Sequence, residues 1–139
     1  MIDKDVVFEK VNRIQNCLQR IHKTVSNDVN RLDSCDVQDI VTLNLQRAVQ
    51  LLIDLAAHVV RSESFGMPQT LKENFSLLWQ NKIIDAAMKE KMEHMVGFRN
   101  IAVHDYESIN PEILKSIVRK HLTDIEDFYT LLLHHFKLV

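Results

Sequence analysis

Two glycines and two prolines in 139 residues are too few for a fold that turns often. β-rich folds need many tight turns built on those residues, so the shortage points to an all-α chain. Cysteine is equally scarce. Cys17 and Cys35 lack the spacing of a zinc site and are too few for a disulfide scaffold, and they read as small buried thiols of a reducing cytosol. Neither sign of charge dominates: the formal net charge of -2 gives no overall pull toward nucleic acid or anionic membrane. A polyanionic partner would have to be met by a local basic patch. The start, Met1-Ile2-Asp3-Lys4-Asp5, is charged and has no apolar signal core behind it, and no apolar run approaches membrane-spanning length. A glycine-rich phosphate loop and a nucleophile elbow are both missing. These absences lead us to expect a soluble, cytoplasmic protein with no membrane contact.

What is present fits a globular chain. Hydrophobic residues make up 46% and charged residues 26%, and 139 residues suffice for one domain (1–139) with a real core. The first helix is expected from about Asp3 to Val25, where Val7, Val11, Ile14, Leu18, Ile21 and Val25 form a heptad-like seam. Turn and cap residues follow, with a short helical turn through Val29 and Leu32. The second helix begins near Asp36 or Asp39 and runs to about Ser62. Its polar positions Arg47, Gln50, Asp54, His58 and Arg61 form one narrow stripe, and the rest is apolar. A helix so apolar must be covered on more than one side, as the centre of a bundle and as part of a subunit interface.

After the loop Phe65–Gln69, Thr70-Leu71-Lys72-Glu73 fits a capping box ahead of a short helix carrying Phe75, Leu78 and Trp79. The next helix, about Asp85 to Val103, places Met88, Met92, Met95 and Ile101 at core spacing. Gly97 inside it costs about 1 kcal/mol against alanine, which close approach of another helix or flexibility near a site would offset. Asn110-Pro111-Glu112 opens the last helix, whose apolar face runs from Leu114 to Phe136. The sum is an up-and-down bundle of four long helices with one or two short ones.

One stretch carries candidate chemistry: Arg99-Asn100-Ile101-Ala102-Val103-His104-Asp105-Tyr106. Arginine supplies a permanent cation and a planar fork of donors suited to phosphate. Histidine can give or take a proton near neutral pH. Five residues turn a helix by about 140°, so Arg99 and His104 do not face one another, whereas Asn100 and His104 share a face. Spacing alone therefore leaves two readings open: three polar groups converging on one cleft, or a surface arginine with a histidine at a helix end. The other histidines are unpromising. His134 and His135 point apart, Glu90 and His94 read as a surface pair, and no metal site is expected.

The same residues resemble the R-x4-6-H signature of the HEPN superfamily, and with Tyr106 the longer R-x4-H-x-Y form of HepT-type toxins. The resemblance implies a HEPN-like helical domain and a small, metal-independent endoribonuclease that needs no cofactor. It would act as the toxin of a type VII toxin–antitoxin pair. It also implies a homodimer whose two motifs meet in one cleft on an RNA substrate. His104 would then be the general acid or base, Arg99 the phosphate holder, and Asn100 the group that orients the histidine or the phosphate. Tyr106 would receive AMP from a minimal nucleotidyltransferase antitoxin, or else serve as an aromatic that pins the chain after the helix. A HEPN-like helical partner that holds nucleotide for a nucleotidyltransferase without cutting RNA is the alternative. A helical dimer with a coincidental motif is the other. Arg47, Arg61, Lys89, Lys91, Arg119 and Lys120 are candidate RNA contacts that the sequence cannot rank.

Overall fold

The carboxylate of Asp3 accepts from the backbone N–H groups of Asp5 and Val6 and starts α1 (Lys4–Val25), which buries the predicted seam from Val7 to Val25. In this computed structural model, which describes residues 1–139, the chain continues as a 3-10 turn (Val29–Asp33), α2 (Cys35–Ser62), α3 (Glu73–Gln80) and α4 (Ala86–His104). A second 3-10 turn (Tyr106–Ser108), α5 (Pro111–Lys120) and α6 (Leu122–His135) complete it. All elements are helical, as composition predicts.

Three side-chain caps form, two of them, at Thr70 and Asn110, as predicted. Thr70 Oγ accepts from the N–H of Glu73 at 3.2 Å, and the Glu73 carboxylate reaches back to the N–H of Gln69 at 3.0 Å. Asp85 caps α4 through the N–H of Met88, and Asn110 caps α5 through the N–H of Glu112 with Pro111 in the first turn.

α2 is the centre of the bundle and meets every other helix. Twelve of its residues, from Val41 to Val60, are buried. By length and composition it alone could cross a membrane, contrary to the expectation that no run was long enough, but most of that apolar surface is covered inside the fold. Its partners run against it. The α1 start is tied to the α2 end, by Met1 N to the Ser62 carbonyl at 2.8 Å and Asp3 N–H to His58 Nε2 at 3.1 Å. On the other side, Gln50 meets Arg99 and Asp39 meets Tyr106, so α4 is also antiparallel to α2. Phe75 of α3 and Phe128 of α6 close one end of the core, edge to face at 5.5 Å.

Three further expectations need correction. The last helix is two, broken at His121 (φ -120°, ψ -7°). Seven residues beyond Leu114, a continuous helix would turn His121 inward. The break lets the buried series resume at Leu122 and Ile125, while the imidazole pairs with Asp124 at 2.9 Å. The bundle thus has five helices of ten or more residues and one short one. Ile101 is 44% exposed and not a core residue. Trp79, at the end of α3, is 43% exposed, with the Lys89 ammonium 5.2 Å from its ring centre. Cys35 is exposed in the first turn of α2, and Cys17 is only half-buried, its thiol pushed above the ordinary value by that burial.

Candidate functional site

The predicted site residues lie at the C-terminal end of α4 and in the 3-10 turn after it. Arg99 Nε donates to Gln50 Oε1 at 3.0 Å, and Arg99 Nη1 donates to Asn100 Oδ1 at 3.0 Å. Gln50 Nε2 in turn donates to Asp54 at 2.9 Å. The guanidinium is therefore fixed by two neutral acceptors, with a carboxylate one step further along α2. Neutral acceptors hold the fork without cancelling its charge. Nη2 and one Nη1 hydrogen are left to bind a phosphate oxygen pair.

His104 is the last residue of α4 and is exposed. It makes no hydrogen bond to Arg99, as the 140° separation implies, and none to Asn100 although those two share a face, because the Asn100 amide oxygen accepts from Arg99 instead. Asn100 holds the arginine and not the histidine. Within one chain, then, Arg99 and Asn100 come together, His104 stands apart, and nothing closes a cleft over them.

Tyr106 is anchored separately. Its hydroxyl donates to Asp39 Oδ1 in the second turn of α2. Burial, then the bond to Asp39 and the charge of that carboxylate, push the phenol above its ordinary value. The ring is 44% exposed and borders a small cavity of about 240 Å³ shared with Gln38, Thr42 and Glu107. The Thr42 hydroxyl in its wall is buried and has no hydrogen-bond partner.

Sequence reasoning missed both anchors. Gln50 is 49 positions from Arg99, and Asp39 is 67 from Tyr106. Gln50 did leave a trace, as a polar residue on an otherwise apolar helix. Asp39 left none, because aspartate near a helix start is ordinary.

Two larger cavities flank the motif. One, about 540 Å³, lies between α1 and α2 and is lined by Arg13, Arg47, Gln50 and Asp54 among others. It therefore shares Gln50 with Arg99. The other, about 460 Å³, lies on the opposite side of α4, over Gly97, Phe98, Ile101 and Ile113, with Lys91, His121 and Asp124 at its far end. It contains none of the predicted site residues. No three histidine, cysteine or carboxylate side chains gather as metal ligands.

Residues 14–132 match the family described as ribonuclease HepT-like. The chain is similar to the mRNA nuclease HepT of Shewanella oneidensis, 38% identical over 124 residues that cover 89% of this chain and 93% of that one. Its fold is similar to a solved toxin–antitoxin with AMP-PNP at a TM-score of 0.87, with 36% identity over 92% of this chain and 97% of the other. It is equally similar, at a TM-score of 0.87, to a tri-AMPylated Shewanella oneidensis HEPN toxin in complex with an MNT antitoxin. There the identity is 37% over 92% of this chain and 96% of the other.

Proposed function

The chain belongs to the HepT-like ribonuclease family, and on that premise we propose that it is an endoribonuclease toxin of a type VII toxin–antitoxin pair, acting in the cytoplasm as a single domain (1–139). The observation that carries the reading is Arg99, held by Gln50 and Asn100 with a free donor pair, on the same helix end as an exposed His104.

The chemistry is RNA cleavage by the adjacent 2′-hydroxyl. That oxygen attacks phosphorus, the bond to the 5′-oxygen breaks, and a 2′,3′-cyclic phosphate and a 5′-hydroxyl result. One imidazole takes the 2′-hydroxyl proton and another gives a proton to the departing 5′-oxygen, each role commonly worth about 10²–10⁴-fold. Arg99 binds the phosphate and offsets charge developing on its oxygens. A single chain supplies one His104, so two copies are needed. Leu43 and Val103, both at least 40% exposed, lie on α2 and α4 toward the Tyr106 side of the Arg99–Gln50 contact and offer the apolar surface for a homodimer across this face. Arg47 ranks first among the candidate RNA contacts, because it lines the cavity that shares Gln50 with Arg99.

The off-switch is AMP transfer to Tyr106 by a nucleotidyltransferase antitoxin. The phosphodiester it adds is an anion two residues from His104, which repels RNA as a phosphate group would.

The test is cleavage of single-stranded RNA by purified protein in EDTA, beside Arg99→Ala and His104→Ala, with circular dichroism to confirm folding. Wild-type cleavage with each variant at least about 100-fold slower is the expected outcome. A folded wild type that binds but never cuts RNA would favour a non-catalytic HEPN partner of a nucleotidyltransferase.

A further inference from the structure

Asp39 holds the Tyr106 hydroxyl and, after burial, is what pushes the phenol above its ordinary value. Its carboxylate receives the only hydrogen bond the phenol donates, from α2 to a 3-10 turn 67 positions away. Pinning a surface tyrosine does not by itself require a carboxylate. An amide or a backbone carbonyl would accept the same bond without placing a negative charge against the ring. What a carboxylate adds is basicity.

We propose that Asp39 is the general base for nucleotide transfer to Tyr106. The inference rests on the reading of Tyr106 as the modified residue. In the transfer step the phenol oxygen attacks the α-phosphorus of ATP supplied by the nucleotidyltransferase. A new Oη–P bond forms as the bond from the α-phosphorus to the bridging oxygen breaks, and pyrophosphate leaves with the electron pair. The phenol proton passes to the Asp39 oxygen that already accepts it.

Three features fit this assignment. The proton is on the donor–acceptor line before ATP arrives, so its transfer needs no rearrangement of the toxin. The phenol is held neutral by burial and by the carboxylate, so it needs a base as the new bond forms. The ring edge is open to solvent beside the cavity bordered by Gln38, Thr42 and Glu107, so a nucleotide can reach the oxygen. Charge then separates the product from its base. The new phosphodiester is an anion next to Asp39, with Asp105 and Glu107 on either side of Tyr106 in sequence. Like charges push the adduct away from this carboxylate edge once it has formed.

The experiment incubates the full-length protein with its cognate nucleotidyltransferase and ATP, and follows the mass of the intact chain and of the peptide containing Tyr106. Wild type is compared with Asp39→Asn and Tyr106→Phe, with circular dichroism and thermal melting as fold controls. Asparagine keeps the acceptor oxygen that pins the phenol and removes the basicity. A base role predicts an unchanged melting temperature and a transfer rate lower by about 100-fold or more. A purely structural Asp39 would leave the Asp39→Asn rate within threefold of wild type, and that result overturns the proposal. If wild type gains no AMP on Tyr106, the modification reading falls with it. Wild-type labelling that Asp39→Asn matches brings down the base assignment alone.

Discussion

Nε2 of His58 accepts from the N–H of Asp3, so that nitrogen must be unprotonated to hold the start of α1 on α2. Burial, and then the nearby Arg61 cation, hold the ring below the ordinary histidine value, against the pull of Asp3. The sign follows from linkage. The contribution is complete above the unfolded value of about 6.5 and is lost as pH falls through the lower folded value. We expect the urea midpoint of wild type to fall between pH 7.5 and pH 5. His58→Gln, which keeps an acceptor and does not titrate, should show a smaller fall. Equal falls would remove His58 from the acid response. At this scale the sequence was legible where the candidate site is local. Arg99, Asn100, His104 and Tyr106 were readable because they sit within eight positions. Gln50 and Asp39, which fix two of them, were not, because only folding brings α2 against α4.

Among the elements, caps and seams were legible because they act over three or four residues. Asp3, Thr70, Asp85 and Asn110 all start or precede their helices as read. The break at His121 was missed because both halves keep an apolar face and only the phase between them changes. α4 was the least legible helix, since one side meets α2 and another lines an open cavity, which leaves Ile101 exposed. Gly97 lies on that open side. A Cβ there would meet only the Lys72 ammonium, at 4.0 Å, so no helix approaches closely within the chain. Gly97→Ala should therefore stabilise the fold by about 0.5–1 kcal/mol, read from chemical denaturation. Destabilisation instead would mean that a second copy or the antitoxin packs against this glycine.

For the whole molecule, assembly and activity should fail together. Leu43 is 43% exposed on the face shared with Arg99, so replacing it costs the isolated chain little. Leu43→Asp is expected to run as a monomer in sedimentation velocity, with a near-native circular dichroism spectrum and RNA cleavage reduced at least tenfold. A monomeric variant of full activity would place the catalytic pair within one chain. Net charge was a poor guide at this scale, because a sum of -2 hides how the charges are arranged. Arg47→Ala should weaken RNA binding for every sequence alike. It should also flatten the salt dependence by about 0.7 in log–log slope, the value of one single-strand phosphate contact.

The antiparallel pairing of α2 with α4 has one more consequence. Along α2, Arg47 and Asp39 are eight residues apart, about 12 Å. Arg99 is moored on Gln50, near Arg47, and Tyr106 on Asp39, between Asp105 and Glu107. Arginines thus gather toward one end of this pairing and carboxylates toward the other, so a polyanion is expected to be drawn to the Arg47 end and repelled at the Tyr106 end. An RNA strand is expected to approach from the arginine side. AMP on Tyr106 adds charge where the field is already negative and moves the line of reversal toward Arg99. With Tyr106 as the proposed modified residue and His104 as the proposed proton carrier, the switch would work less as a plug than as a moved boundary, the enzyme being off once that boundary has crossed His104.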